Sequence, residues 1–207
     1  MEDKPESIKI TLLGSPGVGK TCIIRRYISN YFEENYTSTT VTYFQKIITR
    51  DNKHYQLDVW DTAGQEKFRS LGRNFYKDSF IVILVYDITR IDSFEGLKKI
   101  WYPDLLQYGE KNPIIAVVGN KCDRYEEPDI VNEDEARKFA EEIKAQYMIV
   151  SAKNNINIQN LFSKLVDLYF DPNCQEDVAI KKSQRRNSTK LVNNNNTNEE
   201  KKKKGCC

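Results

Sequence analysis

The chain has 207 residues, 39% of them hydrophobic and 30% charged, with a formal net charge of +2; that length suits one ordinary domain with a full core and an appendage. No apolar run approaches the roughly 20 residues of a membrane helix, and the acidic start MEDKPESIKI lacks the apolar stretch of a secretion signal, so a cytosolic protein is expected. Five cysteines without a CxxC pair, and a single histidine, His54, argue against a disulfide framework or a metal cluster, and His54 reads as a polar residue on a strand.

The first predicted element is an apolar strand, Ile8–Gly14, which runs directly into GSPGVGKT, Gly14–Thr21, and then a helix over Lys20–Ser29. This fits G-x-x-x-x-G-K-[ST], a loop whose glycines let backbone N–H groups wrap a phosphate. Lys20 would reach the β- and γ-phosphates, and the Thr21 hydroxyl would bind Mg²⁺. The expected contacts run through Ser15, Gly17, Val18, Gly19, Lys20, Thr21 and Cys22. The loop alone does not choose between ATP and GTP.

Two strands follow, Val41–Ile48 and the alternating His54–Asp61, joined across Arg50–Asn52 as an antiparallel hairpin. The second ends in DTAGQE, Asp61–Glu66. Asp61 would hold Mg²⁺ through a water, Gly64 would offer its N–H to the γ-phosphate, and Gln65 would orient the attacking water. Gln65 and Lys20 are therefore the catalytic candidates. No arginine of the chain is obviously placed to supply transition-state charge, so slow unassisted turnover is expected.

Phe80–Asp87 and Ile114–Asn120 are nearly continuous Ile, Val and Leu, as in strands covered on both faces of a mostly parallel sheet. Between them a helix is expected over Asp92–Tyr108, opening on a capping pattern at DSFE, with Trp101 in the core. Past the second strand stands NKCD, Asn120–Asp123, where ligands of open parallel sheets bind. The Asp123 carboxylate could accept from guanine's ring N–H and exocyclic amine; against adenine it would be buried without partners. A helix over Glu133–Gln146 precedes a strand over Tyr147–Ala152. That strand carries SAK, Ser151–Lys153, whose Ala152 N–H could donate to the guanine carbonyl. The last helix, Asn157–Phe170, has a core-facing stripe of Ile158, Leu161, Phe162, Leu165, Val166 and Tyr169. This alternation predicts a three-layer α/β domain with a mostly parallel sheet and helices on both faces.

The domain is expected to end near residue 172. Residues 173–207 hold nine basic side chains against four acidic ones, a net of +5, which leaves −3 for residues 1–172. With no aromatics and an Asn193–Asn196 run, this segment is expected to be a disordered basic tail.

With GSPGVGKT, DTAGQE, NKCD and SAK in this order, the chain resembles a small GTPase of the Ras superfamily. WDTAGQEKFRSL at Trp60–Leu71, NFYKDS at Asn74–Ser79 and LVYDIT at Leu84–Thr89 resemble signatures of the Rab family. The resemblance implies a P-loop GTPase fold with a six-stranded sheet containing one antiparallel strand. It also implies a GTP/GDP cycle with Mg²⁺ as cofactor, and Asn120, Lys121, Asp123, Ser151, Ala152 and Lys153 around the base. Phe32 matches the aromatic that stacks on guanine. Thr39 matches the switch threonine that joins Thr21 and Asp61 at Mg²⁺ when the γ-phosphate is present. The implied partners are an exchange factor, a GTPase-activating protein, effectors, a Rab escort protein with geranylgeranyl transferase, and a GDP dissociation inhibitor. No nucleic-acid partner is expected, and the chain is expected to be a monomer.

The ending KKKKGCC is read through the same resemblance. Cys206 and Cys207 would each carry a geranylgeranyl chain, two chains giving stable attachment where one does not. Lys201–Lys204 would favour the anionic cytoplasmic leaflet of an intracellular membrane. This combination implies a lipid-anchored switch in vesicle traffic, cycling with the cytosol. A second reading is a GTP-bound membrane scaffold with little or no hydrolysis. Two departures from the Rab pattern stand out. The stretch Thr40-Val41-Thr42-Tyr43-Phe44 lacks the usual Ile-Gly, and Pro16 replaces a small residue where an arginine finger would enter, an expected obstacle to partner-stimulated hydrolysis.

Overall fold

The computed structural model describes residues 5–34, 42–62, 77–110, 112–127 and 130–171. Thr39, Gly64, Gln65, Cys206, Cys207 and the predicted tail lie outside the described residues. The chain divides into two compact units, Met1–Asp167 and Leu168–Cys207, and of the second only residues 168–171 are described.

One six-stranded sheet has the order β2-β3-β1-β4-β5-β6, built from β1 (Glu6–Leu13), β2 (Thr42–Arg50), β3 (Lys53–Asp61), β4 (Ile81–Asp87), β5 (Ile114–Asn120) and β6 (Gln146–Ile149). Only β2 runs antiparallel, against β3. Every residue of β4 is buried, which is why its sequence shows no polar alternation. The β2–β3 ladder continues to Arg50 opposite Lys53, so Arg50 belongs to the strand rather than to the expected three-residue turn. Asp51 and Asn52 make the turn alone, with φ of 49° and 58°. Positive φ at both central positions is the two-residue geometry whose twist matches the flanking strands.

Three helical expectations need correction. The segment Asp92–Tyr108 is not one regular helix. It consists of α2 (Ile91–Gly96), a π-helical turn (Leu97–Trp101) and α3 (Tyr102–Tyr108). Pro103 has no N–H and its ring crowds the carbonyl four residues back; the backbone widens just before it, with the Tyr102 N–H reaching the Leu97 carbonyl. The DSFE capping pattern is not used. Arg90 precedes the helix, Asp92 pairs with Arg90 at 2.6 Å, and Ser93 Oγ donates to the Arg90 carbonyl at 2.7 Å. The helix α4 (Glu133–Glu142) stops short of the expected Gln146, which begins β6, because Lys144 takes a left-handed φ of 54°. Its start is capped by Asn132, whose side chain accepts from the Asp134 and Glu135 amides.

The strand expected to reach Ala152 ends at Ile149. Ser151 instead exchanges backbone hydrogen bonds with Ile156, at 3.1 and 2.9 Å, so Ala152–Asn155 form a tight turn beyond the sheet. The last helix is α5 (Ile158–Phe170).

One face of the sheet, with Val82, Leu84, Tyr86 and Val117, packs on Phe94, Leu97, Trp101, Leu105, Ala136 and Phe139; Trp101 thus lies in the core. Ile81, Ile83 and Val85 alternate to the other face. There α1 (Lys20–Ser29) lies against β2 and β3, and its Tyr27 stacks on Phe162 of α5 with ring centroids 3.7 Å apart. The strands β3, β1, β4, β5 and β6 run parallel. Their carboxyl ends therefore meet along one rim.

Candidate functional site

At that rim β1 passes into the glycine loop and α1. A Cβ on Gly14, whose φ is 148°, would lie 2.1 Å from the Val85 carbonyl oxygen. On Gly19, with φ of 93°, it would lie 2.3 Å from Asn120 Nδ2. Neither position admits a side chain, so the loop can close tightly against β4 and β5.

Lys20 is 6% exposed and donates to the Gly14 and Ser15 carbonyls at 2.7 and 3.1 Å. Burial pulls its ammonium down to about 8, opposed by the charge of Asp61. The result is a cation held across its own loop, beside backbone amides at a helix start, which suits a phosphate.

Thr21 Oγ1 donates to Asp61 Oδ2 at 2.5 Å. Asp61 is fully buried, and its Oδ1 has no hydrogen-bond partner among the described residues. Burial pushes its carboxyl up to about 6, against the Thr21 hydrogen bond and the Lys20 charge. A buried, unpartnered oxygen next to a hydroxyl is the donor chemistry of a hard divalent cation. Among the described residues, no group of three or more His, Cys, Asp or Glu side chains could hold a metal by itself. A cation here therefore has to complete its shell with hydroxyl, water or substrate oxygens, as Mg²⁺ at phosphate sites does.

Asn120 joins the two halves of the site. Its Nδ2 donates to the Val18 carbonyl at 2.8 Å, and its Oδ1 accepts from the Ala152 N–H at 3.2 Å. Lys121 takes a left-handed φ of 70° and pairs with the buried Asp87 at 2.7 Å. Asp123 lies in a 3₁₀ turn, Cys122–Arg124, where the Ser151 hydroxyl donates to its Oδ1. Ser151 Oγ in turn accepts from the Asn154 N–H at 3.0 Å. Lys153 reaches Glu34 at 2.9 Å, and the half-buried Phe32 ring lies 5.8 Å from the Arg26 guanidinium. Cys22 is half-buried in α1, its thiol pushed up by burial. Ser15, Gly17, Val18, Gly19, Lys20 and Thr21 thus gather with Asp61 at one end of a cleft rim, and Asn120, Lys121, Asp123, Ser151, Ala152 and Lys153 at the other.

Three contacts escaped the motif reading. Asp87 anchors Lys121 while accepting from the Thr89 amide and hydroxyl at 3.0 and 2.8 Å. Arg90 Nη1 donates to the Pro16 carbonyl at 3.0 Å, so an arginine of the chain does touch the glycine loop. Arg26 of α1 holds the Ala152–Lys153 turn. Lys121 lies far from Asp87 in sequence, Pro16 far from Arg90 and the Ala152–Lys153 turn far from Arg26, and no local pattern announces any of these three pairings.

The family model described as "Ras family" matches residues 9–170. The chain is 40% identical over 156 residues to Ras-related protein Rab-31 of Rattus norvegicus, covering 75% of this chain and 79% of that protein. To Ras-related protein Rab-22A of Homo sapiens it is 38% identical over 159 residues, 76% and 81% of the two chains. Ras-related protein Rab-1C of Dictyostelium discoideum gives 38% over 159 residues, 76% and 78%. A glycine loop closed on a fully buried carboxylate, the Asn120–Asp123 loop stapled to it by one asparagine, and this match over nearly the whole described chain lead to one conclusion: the chain belongs to the Rab branch of the Ras family, and is a small GTPase that hydrolyses GTP.

Proposed function

We propose that the protein is a membrane-anchored switch in intracellular vesicle traffic, ordered for effectors with GTP and released on hydrolysis. The single observation that carries the site reading is the Asn120 staple between Val18 and Ala152. It sets the phosphate grip and the guanine-reading carboxylate of Asp123 at a fixed separation.

In this reading Ser15, Gly17, Val18 and Gly19 cradle the phosphates with main-chain amides, and Lys20 exchanges its loop carbonyls for phosphate oxygens. Thr21 and Thr39, with Asp61 through a water, would hold Mg²⁺, which when bound would supply positive charge to the oxygens of the transferring phosphoryl group. Gln65 orients the water whose oxygen bonds to the γ-phosphorus, and Gly64 donates to a γ-oxygen. The γ-phosphorus–bridging oxygen bond breaks as that bond forms, leaving GDP and phosphate. Asp123 accepts from the guanine ring N–H and amine, the Ala152 N–H, whose bond to Asn120 Oδ1 is long at 3.2 Å, is shared with the guanine carbonyl, and Phe32 stacks on the guanine face. Unassisted turnover is slow, and an activating protein and an exchange factor set the two rates.

Residues 1–172 form the GTPase domain in this reading, and 173–207 a basic tether ending in geranylgeranylated Cys206 and Cys207. Extended, its 28 residues 173–200 would let the domain stand up to about 90 Å from the cytoplasmic leaflet. Effectors, an escort protein with its transferase, and a GDP dissociation inhibitor complete the cycle.

Purified protein offered equal GTP and ATP should retain only guanine nucleotide; retention of adenosine nucleotide, or of neither, ends the site reading. A tagged full chain should decorate one intracellular membrane, and a chain without Cys206 and Cys207 should stay in the cytosol. Equal membrane attachment of both would end the anchor reading.

A further inference from the structure

Arg26 lies near the end of α1 away from the phosphate loop. Its Nε donates to the Ala152 carbonyl at 2.8 Å and its Nη2 to the Lys153 carbonyl at 3.0 Å. Its Nη1 donates to the Asn30 carbonyl and side-chain oxygen at 2.8 and 3.2 Å. The Phe32 ring sits beside the same guanidinium. None of these four acceptors is an acid. A half-exposed arginine ordinarily pairs with a carboxylate or extends into water; this one spreads its fork over neutral oxygens of two separate loops.

The consequence for Ala152 is specific. Its N–H belongs to one peptide plane and its carbonyl to the next. Asn120 holds the first and Arg26 the second, so both torsions of Ala152 are fixed from outside the turn. Two further contacts, Lys153 to Glu34 at 2.9 Å and Asn155 to Asn30 at 3.3 Å, join the same turn to the segment after α1. Arg26 is the hub of that junction.

We infer that Arg26 is a positioning residue for base recognition: it aims the Ala152 amide, whose proton is shared with Asn120 Oδ1, at the oxygen on guanine C6, holds Phe32 in register, and thereby sets how long the nucleotide stays. This rests on the guanine-nucleotide reading proposed above. Lysine cannot replace it, since one ammonium on a flexible stem cannot span the Ala152, Lys153 and Asn30 oxygens in a fixed plane.

The test uses the full chain loaded with GDP or with 6-thioguanosine diphosphate, which keeps the ring N–H and amine but replaces the C6 oxygen with a poor acceptor. Arg26→Ala should speed GDP release about tenfold, the loss of roughly one well-made contact, and speed thio-nucleotide release less than about threefold. Single-turnover hydrolysis of preloaded GTP should change less than about twofold, because the Lys20–Thr21 end of α1 is untouched. Arg26→Lys, which keeps the charge and folds more surely, should release GDP at an intermediate rate. Equal acceleration of both nucleotides, with a lowered melting temperature, would mean a purely structural arginine and overturn the inference, as would unchanged GDP release. If the unaltered protein holds neither nucleotide, the guanine reading falls first and takes this one with it.

Discussion

Arg90 donates to the carbonyl of Pro16 across 3.0 Å, fastening the glycine loop to the start of α2. The contact uses the main chain, so it survives replacement of the proline side chain. Pro16→Ser should therefore leave the melting temperature within about 3 °C of the unaltered protein. It should raise partner-stimulated hydrolysis by about tenfold or more if the ring stands where the Rab resemblance would bring in an activating arginine. Stimulated hydrolysis is measured with a saturating GTPase-activating protein. An unchanged stimulated rate would remove Pro16 as an obstacle.

Asp61 predicts a pH dependence for Mg²⁺. Its carboxyl is pushed up to about 6 by burial, so a rising fraction is protonated as pH falls through that value. A protonated Asp61 no longer offers its negative charge to a Mg²⁺-bound water, and metal binding must release the proton. Mg²⁺ affinity of the GDP-bound protein should be level above about pH 7 and fall up to about tenfold per unit below 6. Asp61→Asn should bind weakly with no such slope. Calorimetry in two buffers of different ionisation enthalpy reads the proton release directly.

Gly19→Ala tests the closeness of the two halves. The added methyl would meet Asn120 Nδ2 at 2.3 Å in a backbone conformation of φ 93°. Both the strain and the displaced asparagine act on the Val18 and Ala152 contacts together. Retained nucleotide after gel filtration should drop at least about tenfold, with a stability loss of about 2–4 kcal/mol. Retention equal to the unaltered protein would show the staple to be dispensable.

Phe162→Ala separates stability from the site. The ring is fully buried and stacks on Tyr27 at 3.7 Å and 10°, on the helix that carries Lys20. Urea unfolding of the GDP-bound protein should show a loss of about 3–5 kcal/mol. Preference for guanine over adenine should persist, since no Asp123 or Ser151 contact is lost.

Much of this molecule was legible in its sequence. The parallel strands betray themselves because burial on both faces leaves only Ile, Val and Leu, and GSPGVGKT because the loop needs glycines where Val85 and Asn120 come close. Element ends were read less well. The π turn before Pro103 and the early end of β6 at Ile149 depend on one missing N–H and on a turn closed by Ser151 and Ile156, neither of which alters hydrophobic period. The Arg26 and Arg90 contacts were illegible for another reason. A polar side chain that binds main-chain oxygens distant in sequence leaves no constraint on residue type at the other end.

The hairpin turn at Asp51–Asn52 sits where β3 begins, whereas Asp61 and its neighbours sit where strands finish. A short fluorescent insert spliced into that bend would sit on the rim remote from the cleft, at a solvent-facing tip of the kind that tolerates added sequence. The protein thus carries a natural attachment point for an optical reporter of its own guanine-nucleotide cycle.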